Sequence, residues 1–305
     1  MKNDLTIDEI LKKSVHEFEI SQYGVIKCQE FEDLREILMG RKEKDELTGF
    51  EEQDIEKRIN PKLTMEDCRS IIVCLFPYYK VSNEESNLAK YTHGMDYHFV
   101  INDMMNLLGD KIGKEVENFK YMSFTDSGPL VDRYVAYKAG LGFWGINGHI
   151  INEKYGSYIL IGYMLTNKEF KEYNTQLENS SCIRCMRCVK SCPGGAIKGD
   201  YDINPLKCKS YITQKKEELT CEEKNILMKS QIIFGCDICQ EVCPHNKNIE
   251  ETHIAQFSED LIKRITEDEI TELSNKKFRK IYGRRAFGWR GRKILERNMK
   301  IIKGE

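Results

Sequence analysis

The sequence predicts an α+β protein in three parts: an N-terminal α/β domain over residues 1–170, a cysteine-rich module over 171–254 and a basic helical C-terminal segment over 255–305. Three observations carry that expectation. Two apolar runs, SIIVCLFPYY and YILIGYML, alternate with amphipathic stretches in the first half. Nine of the twelve cysteines fall between Cys182 and Cys243. From Lys276 to Lys303 twelve Lys and Arg face one acid, Glu296, a local charge of +11 in a chain whose total is −2.

Residues 3–20 and 29–39 repeat apolar positions at helical spacing and predict amphipathic helices. CRSIIVCLFPYY (68–79) predicts a buried strand ending at Pro77. From Tyr97 to about Glu117 apolar residues recur at three and four, predicting a helix. YGSYILIGYMLTN (155–167) is a second apolar strand. This alternation gives an α/β or α+β domain. The polar NKEFKEYNTQLENSS (167–181) reads as a linker or surface loop. The basic end is helical, interrupted at Gly283, Gly288 and Gly291.

A chain of 305 residues accommodates two units sharing an interface. Neither apolar run approaches the roughly 20 residues needed to cross a bilayer. The start, MKNDLTIDEILKK, has no apolar signal core or twin arginine, so the expectation is a cytoplasmic protein with no membrane partner. In a reducing compartment cysteines serve metals rather than disulfides. The +11 segment, against −13 for the remainder, points to a polyanionic partner.

SCIRCMRCVKSCP sets Cys182, Cys185, Cys188 and Cys192 in the spacing C-x2-C-x2-C-x3-C-P, and CDICQEVCP adds Cys236, Cys239 and Cys243. Three thiolates on one tight loop grip three irons of a cubane, and the fourth, before proline, turns to a neighbouring cluster. Cys208, between the runs, completes the set. Crossed ligation gives one 4Fe-4S cluster on Cys182, Cys185, Cys188 and Cys243. The other takes Cys192, Cys208, Cys236 and Cys239, making residues 171–254 a ferredoxin-like, two-cluster domain. Paired zinc sites are the alternative for C-x2-C spacings, but not for the triple spacing with Cys-Pro endings. Cys28, Cys68, Cys74 and Cys221 are left over, with Cys68 and Cys74 reading as small core residues. No G-x-G-x-x-G after a strand and no Walker motif is present.

YTHGMDYH (91–98), DSGPLVDRYVAYKAGLGFWGINGHII (126–151), the eight-cysteine pattern, KCKSYITQ (207–214) and FGWRGRKILERNMKI (287–301) together resemble epoxyqueuosine reductase. The resemblance runs from about residue 8 to 301. It implies a cobalamin-binding catalytic domain of nitroreductase-like fold, as in reductive dehalogenases, ahead of the two clusters. The implied reaction removes the epoxide oxygen of epoxyqueuosine in tRNA, with an electron donor such as flavodoxin or ferredoxin and a monomeric enzyme. It also implies Asp126 as proton donor and cobalamin contacts at Arg58, Asp96, Tyr97, His98, Asn147 and the stretch from Ser210 to Lys215. The family's GKN is here Gly145, Ile146 and Asn147, without the lysine, and the expectation is a member without the helical-repeat extension of longer ones.

Read from the residues alone, Asp126 in DSGPLVDR is also a candidate cap for a Pro-led helix. A donor there needs an apolar pocket that raises its pKa. Asp132, the second carboxylate, reads as a salt-bridged residue beside Arg133. His98 lacks the glycine of D-x-H-x-x-G, so it reads as a pocket-lining histidine rather than a cobalt ligand. His245 follows the second Cys-Pro and is placed near a cluster, near RNA, or in a solvated loop. Tyr282, Phe287 and Trp289, interleaved with cations, suggest stacking on unpaired bases. A reductive dehalogenase and a non-catalytic electron-transfer subunit are the rival readings. Bound cobalamin would separate the second from the enzyme.

Overall fold

The computed structural model describes residues 5–305. Its first part runs α1 (Ile7–Glu17), β1 (Gln22–Lys27), α2 (Arg35–Glu43), α3 (Ile55–Ile59), β2 (Ser70–Pro77), α4 (Tyr97–Glu115), β3 (Tyr121–Thr125), α5 (Asp132–Lys138), β4 (Phe143–Trp144), β5 (Ile150–Ile151) and β6 (Ile159–Thr166). The main sheet has the order β1-β2-β6-β3, and every neighbouring pair is antiparallel. The part expected as α/β is therefore an antiparallel sheet covered on both faces, which is α+β architecture.

All eight residues of β2 are buried because helices cover both sheet faces. Ile72, Cys74 and Phe76 join a core with α1 and α4, while Ile71, Val73 and Leu75 join one that includes α5. Such a strand shows a continuous apolar run, which is why its sequence was legible. The edge strands β1 and β3 were not, since QYGVIK contains Gly24 and YMSFT is half exposed. Residues 3 and 4 of the first expected helix lie outside the described residues. Thr6 and Glu9 cap the remainder with a reciprocal box. The second expected helix begins later, at Arg35, after a short 3-10 turn.

The stretch 167–181 contains no helix or strand, but it is anchored. Asn174 N–H donates to Val25 O at 2.7 Å, and Val25 N–H donates to Asn174 Oδ1 at 2.8 Å, occupying the edge of β1.

The second half contains α6 (Arg187–Ser191), β7 (Ile197–Gly199), β8 (Asp202–Ile203), α7 (Lys209–Ile212), α8 (Cys221–Met228), α9 (Ile238–Glu241), α10 (Ala255–Ser258), α11 (Glu267–Thr271), α12 (Asn275–Tyr282) and α13 (Arg292–Lys303). The basic end is packed rather than free. Phe278, Tyr282, Phe287, Leu295 and Met299 form a core with Leu88, Ile233 and Phe234. Tyr282 and Phe287 are 7% and 0% exposed, so neither can stack on a base; Trp289, 52% exposed, can. Arg285 is buried too, donating to His93 O at 3.0 Å and pairing with Asp260. Among the described residues no helix is long and apolar enough to cross a membrane.

Candidate active site

The cysteines separate into two groups. A narrow void is lined by Cys182, Cys185, Cys188 and Cys243, together with Asn147 and His245. Positive φ at Arg184 and Met186, 52° and 60°, turns the loop that brings the first three together. In the second group burial, then Cys208, Cys236 and Cys192, push the Cys239 thiol well above its ordinary range. Several of the sulfurs that would carry charge are met by amides. Ala196 N–H donates to Cys192 Sγ at 3.2 Å, and the amides of Ser210 and Tyr211 face Cys208. Those of His245 and Asn246 face Cys243. Among the described residues no three Cys, His, Asp or Glu converge on one point for a single ion. Sulfurs spread around a volume suit a multi-iron cluster better than zinc at about 2.3 Å from each sulfur.

A cavity of about 880 Å³ lies where the sheet, the cysteine region and the basic end meet. Its size is near the top of the range of roughly 300–1,000 Å³ for ligand pockets. Arg58, Asp96, Tyr97, His98 and Asp126 all line it, as do Gln214 and Trp289 from the second half. Ser210 stands one step behind, beside Tyr91 of the wall. Asn147 does not line this cavity but the cysteine void, and its buried Nδ2 has no partner. Lys215 is likewise held away, its Nζ donating to Glu223 at 2.6 Å. On the cavity wall Arg290 Nε and Asp132 Oδ1 are buried without partners, as expected of a site shaped for a polar ligand.

Asp126 is not a helix cap. Helix α5 starts at Asp132 after Val131, not at the proline, and Asp126 sits at φ 60° in the left-handed region that Asp and Asn tolerate best. Gly128 allows the turn, since a Cβ there would lie 2.1 Å from Tyr163 Oη. The Asp126 side chain is 62% exposed, into the cavity. Its Oδ2 accepts from Tyr97 Oη at 2.5 Å and lies 3.4 Å from His98 Nε2. The other ring nitrogen, Nδ1, is 2.8 Å from Asp96 Oδ1, which also accepts the His98 N–H and so caps α4. Tyr97 and His98 stack with ring centroids 4.1 Å apart.

This chain of groups divides the protons. Desolvation within the cavity walls pushes Asp126 up, although its side chain opens into the cavity, but the His98 and Tyr97 hydrogen bonds outweigh it and leave the carboxyl below its ordinary value. Burial likewise pushes His98 down, yet its bonds to Asp126 and Asp96 carry it up to about 9. The apolar pocket expected to raise Asp126 acts on its neighbour instead. Burial first, then the Asp126 charge, pushes Asp132 up to about 7. Asp132 is no surface ion pair: Oδ2 accepts the Asp126 N–H at 3.1 Å and Oδ1 is unpartnered.

Three residues to which sequence reasoning gave no part in the site join it to the cysteines. Tyr91 lies within electrostatic reach of both Asp126 and Cys208. Arg133 feels Asp132, Asp126 and Cys208, and donates to Gly148 O at 2.6 Å. The next residue, His149, sets Nε2 3.8 Å from Cys239 Sγ. A histidine in the glycine-rich GINGHII, within an otherwise apolar run, was the available signal. His245 lines the first void, edge-on to Phe143 with ring centroids 5.1 Å apart.

Residues 181–246 match the family described as 4Fe-4S double cluster binding domain. With the adjoining cavity and its proton-bearing groups, they define an iron-sulfur oxidoreductase. Residues 58–127 match the family described as Epoxyqueuosine reductase QueG, DUF1730. An epoxyqueuosine reductase of Lactococcus garvieae is 35% identical, across 96% of this chain and 85% of that protein. The structure of epoxyqueuosine reductase from Streptococcus thermophilus superposes with a TM-score of 0.87 at 34% identity, covering 98% of this chain and 81% of that one. A further epoxyqueuosine reductase, crystallised with a tRNA-Tyr epoxyqueuosine-modified stem loop, gives a TM-score of 0.89 at 29% identity over 97% of this chain and 81% of that one. The chain belongs to the epoxyqueuosine reductase family.

Proposed function

We propose that this chain reduces epoxyqueuosine to queuosine in a tRNA anticodon loop, using cobalamin in the large cavity and two 4Fe-4S clusters on the crossed cysteine groups. The observation that carries the reading is the adjacency of the second group to the cavity, whose wall includes Pro205, three residues before Cys208, together with Tyr91, Arg133 and Asp126. In this reading residues 1–170 form the catalytic domain, 171–254 the electron-transfer domain and 255–305 the tRNA-contacting end.

Removing an epoxide oxygen as water consumes two electrons and two protons and leaves an alkene. Bound cobalamin would supply the reactive reducing centre, and the clusters would supply its electrons one at a time. Arg58, Asp96, Tyr97 and His98, with Ser210 behind them, are the residues whose positions suit its retention. The chain's own part is proton delivery. Asp126 faces the cavity as the delivering carboxyl, and the proton is held in reserve on His98, 3.4 Å away and charged up to about pH 9. Tyr97 fixes the orientation of Asp126. Asp96 holds the His98 ring from its other nitrogen. His149 Nε2, 3.8 Å from Cys239 Sγ, is placed to donate to that sulfur as the Nε2–H tautomer once it ligates a cluster.

The tRNA reading rests on exposed cations. Lys276, Lys277, Arg279 and Lys280 on α12 are exposed and have no ion pair among the described residues. Trp289 stands exposed at the cavity with the Arg290 guanidinium 3.7 Å over its ring. Such surfaces track phosphates and stack on unpaired bases.

The test is anaerobic reconstitution followed by cobalamin binding and turnover of epoxyqueuosine-containing tRNA. The expected protein holds about eight irons and one corrinoid and forms queuosine. Cys208→Ala should keep about half the iron, the cluster away from the cavity. A protein that carries both clusters but neither binds cobalamin nor acts on the tRNA would be an electron-transfer subunit instead.

A further inference from the structure

We infer that the face around Cys185 is the docking site for an acidic one-electron carrier protein, through which electrons enter the enzyme. The inference rests on the reading that the cysteine groups hold clusters. Of the eight proposed ligands, Cys185 is the exposed one. Its neighbour Ile183 is 62% exposed, an apolar spot directly over the first void. All four cysteines of the second group are only partly exposed, so the first group, with Cys185 at the surface, is the one a soluble carrier can approach.

The charge around that spot specifies the partner. Arg187 and Lys190 are three apart on α6 and so share one helix face. Lys247 follows the Pro244 and His245 that line the void. All three are exposed and none makes an ion pair among the described residues. Arg184, by contrast, is neutralised by Asp200. An apolar centre with a cationic rim suits the small, electrostatically steered interface of a transient redox complex. Phosphates would also seek these cations, but this void and the large cavity share no lining residue. A stem loop seated at the cavity therefore does not need this face. In each encounter one electron leaves the reduced carrier and enters the exposed cluster, so the carrier is oxidised by one electron and no bond changes. Two encounters supply one epoxide reduction.

The experiment uses the reconstituted full-length enzyme and the triple variant Arg187→Glu, Lys190→Glu, Lys247→Glu. Cluster bleaching is followed by stopped flow with reduced flavodoxin, an acidic carrier, and with dithionite as a small reductant. At low ionic strength the variant should be reduced by flavodoxin about tenfold or more slowly, with a flatter salt dependence. Its reduction by dithionite and its affinity for epoxyqueuosine tRNA should be unchanged. An undiminished flavodoxin rate overturns the assignment, and so does a loss of tRNA affinity with flavodoxin reduction intact, which would give the cations to RNA. If the charge reversal costs iron, the Gln triple variant carries the same comparison with a smaller expected drop. Failure of the unmodified protein to bleach with dithionite would sink the cluster reading itself, a result distinct from failure of the dock.

Discussion

Tyr97 Oη and Asp126 Oδ2 are 2.5 Å apart, which aims a carboxylate held at φ 60° into the cavity while His98 approaches the same oxygen at 3.4 Å. Asn tolerates the left-handed region as well as Asp and presents an oxygen to the same donor. Asp126→Asn should therefore leave backbone, iron and corrinoid content intact. It cannot pass on a proton, so queuosine formation should fall about a hundredfold or more. Tyr97→Phe should cost less, because it removes only the orienting bond. Single-turnover assays with equal cofactor loading measure both, and wild-type turnover in Asp126→Asn would remove Asp126 from the mechanism.

The carboxyl raised by burial is Asp132, and the sign of its effect on stability follows. Its folded pKa, about 7, exceeds the ordinary value of 3.8, so the protonated form is the one the fold prefers. That contribution is complete below the ordinary carboxylate range and disappears as pH rises through about 7. Asp132→Asn abolishes the dependence. Thermal unfolding should show the variant more stable than the parent at about pH 8, with the difference vanishing toward about pH 4. A constant difference across that range would mean that Asp132 does not titrate as described.

The cysteine-rich module and the apolar elements were legible because they are local. C-x2-C-x2-C-x3-C sets three cysteines on one loop, residues 181–246 match a 4Fe-4S double cluster binding domain, and β2, β6 and α4 carry long periodic runs. The division of protons was not, because it depends on partners far apart in sequence. Desolvation at the wall falls on Asp132, whereas residues 97 and 98 reach Asp126 across the fold. The same limit hid the fate of the basic end. Tyr282 and Phe287 alternate with cations in sequence, yet they face a core built with Leu88 and Phe234. Asn147 sits next to the expected pocket in motif order but on the cluster side of its loop.

The packed basic end also decides which cations can be tested without unfolding it. Arg285 is buried against His93 and Asp260, and Arg292 donates to Ile270 O at 3.0 Å, so reversing either damages the fold. Lys276, Lys277, Arg279 and Lys280 are free of such duties among the described residues. Changing these four to Glu should weaken tRNA binding and flatten the log–log salt plot by about 0.7–0.9 for each phosphate no longer neutralised. Trp289→Ala should cost about 1–3 kcal/mol if a base stacks there, with little change in salt slope. Unaltered tRNA affinity in the four-site variant would make α12 a solvated face.

The last prediction concerns His149, whose Nε2 lies 3.8 Å from Cys239 Sγ. A ligating thiolate can only accept, so the ring meets it productively as the Nε2–H tautomer. A hydrogen bond to a ligand sulfur withdraws charge and favours the reduced, more negative cluster, which raises its potential. Removing it with His149→Phe should lower the midpoint of the cluster proposed on Cys192, Cys208, Cys236 and Cys239 and leave the other in place. A tenfold loss in the reduced-to-oxidised ratio at fixed poise corresponds to about 59 mV for one electron. His149→Gln, whose amide can donate, should recover part of the shift, which a merely structural role would not predict. Potentiometric titration followed by electron paramagnetic resonance reads the two clusters separately. Equal shifts in both would indicate general loosening of the module, and no shift in either would leave His149 as packing beside Cys239.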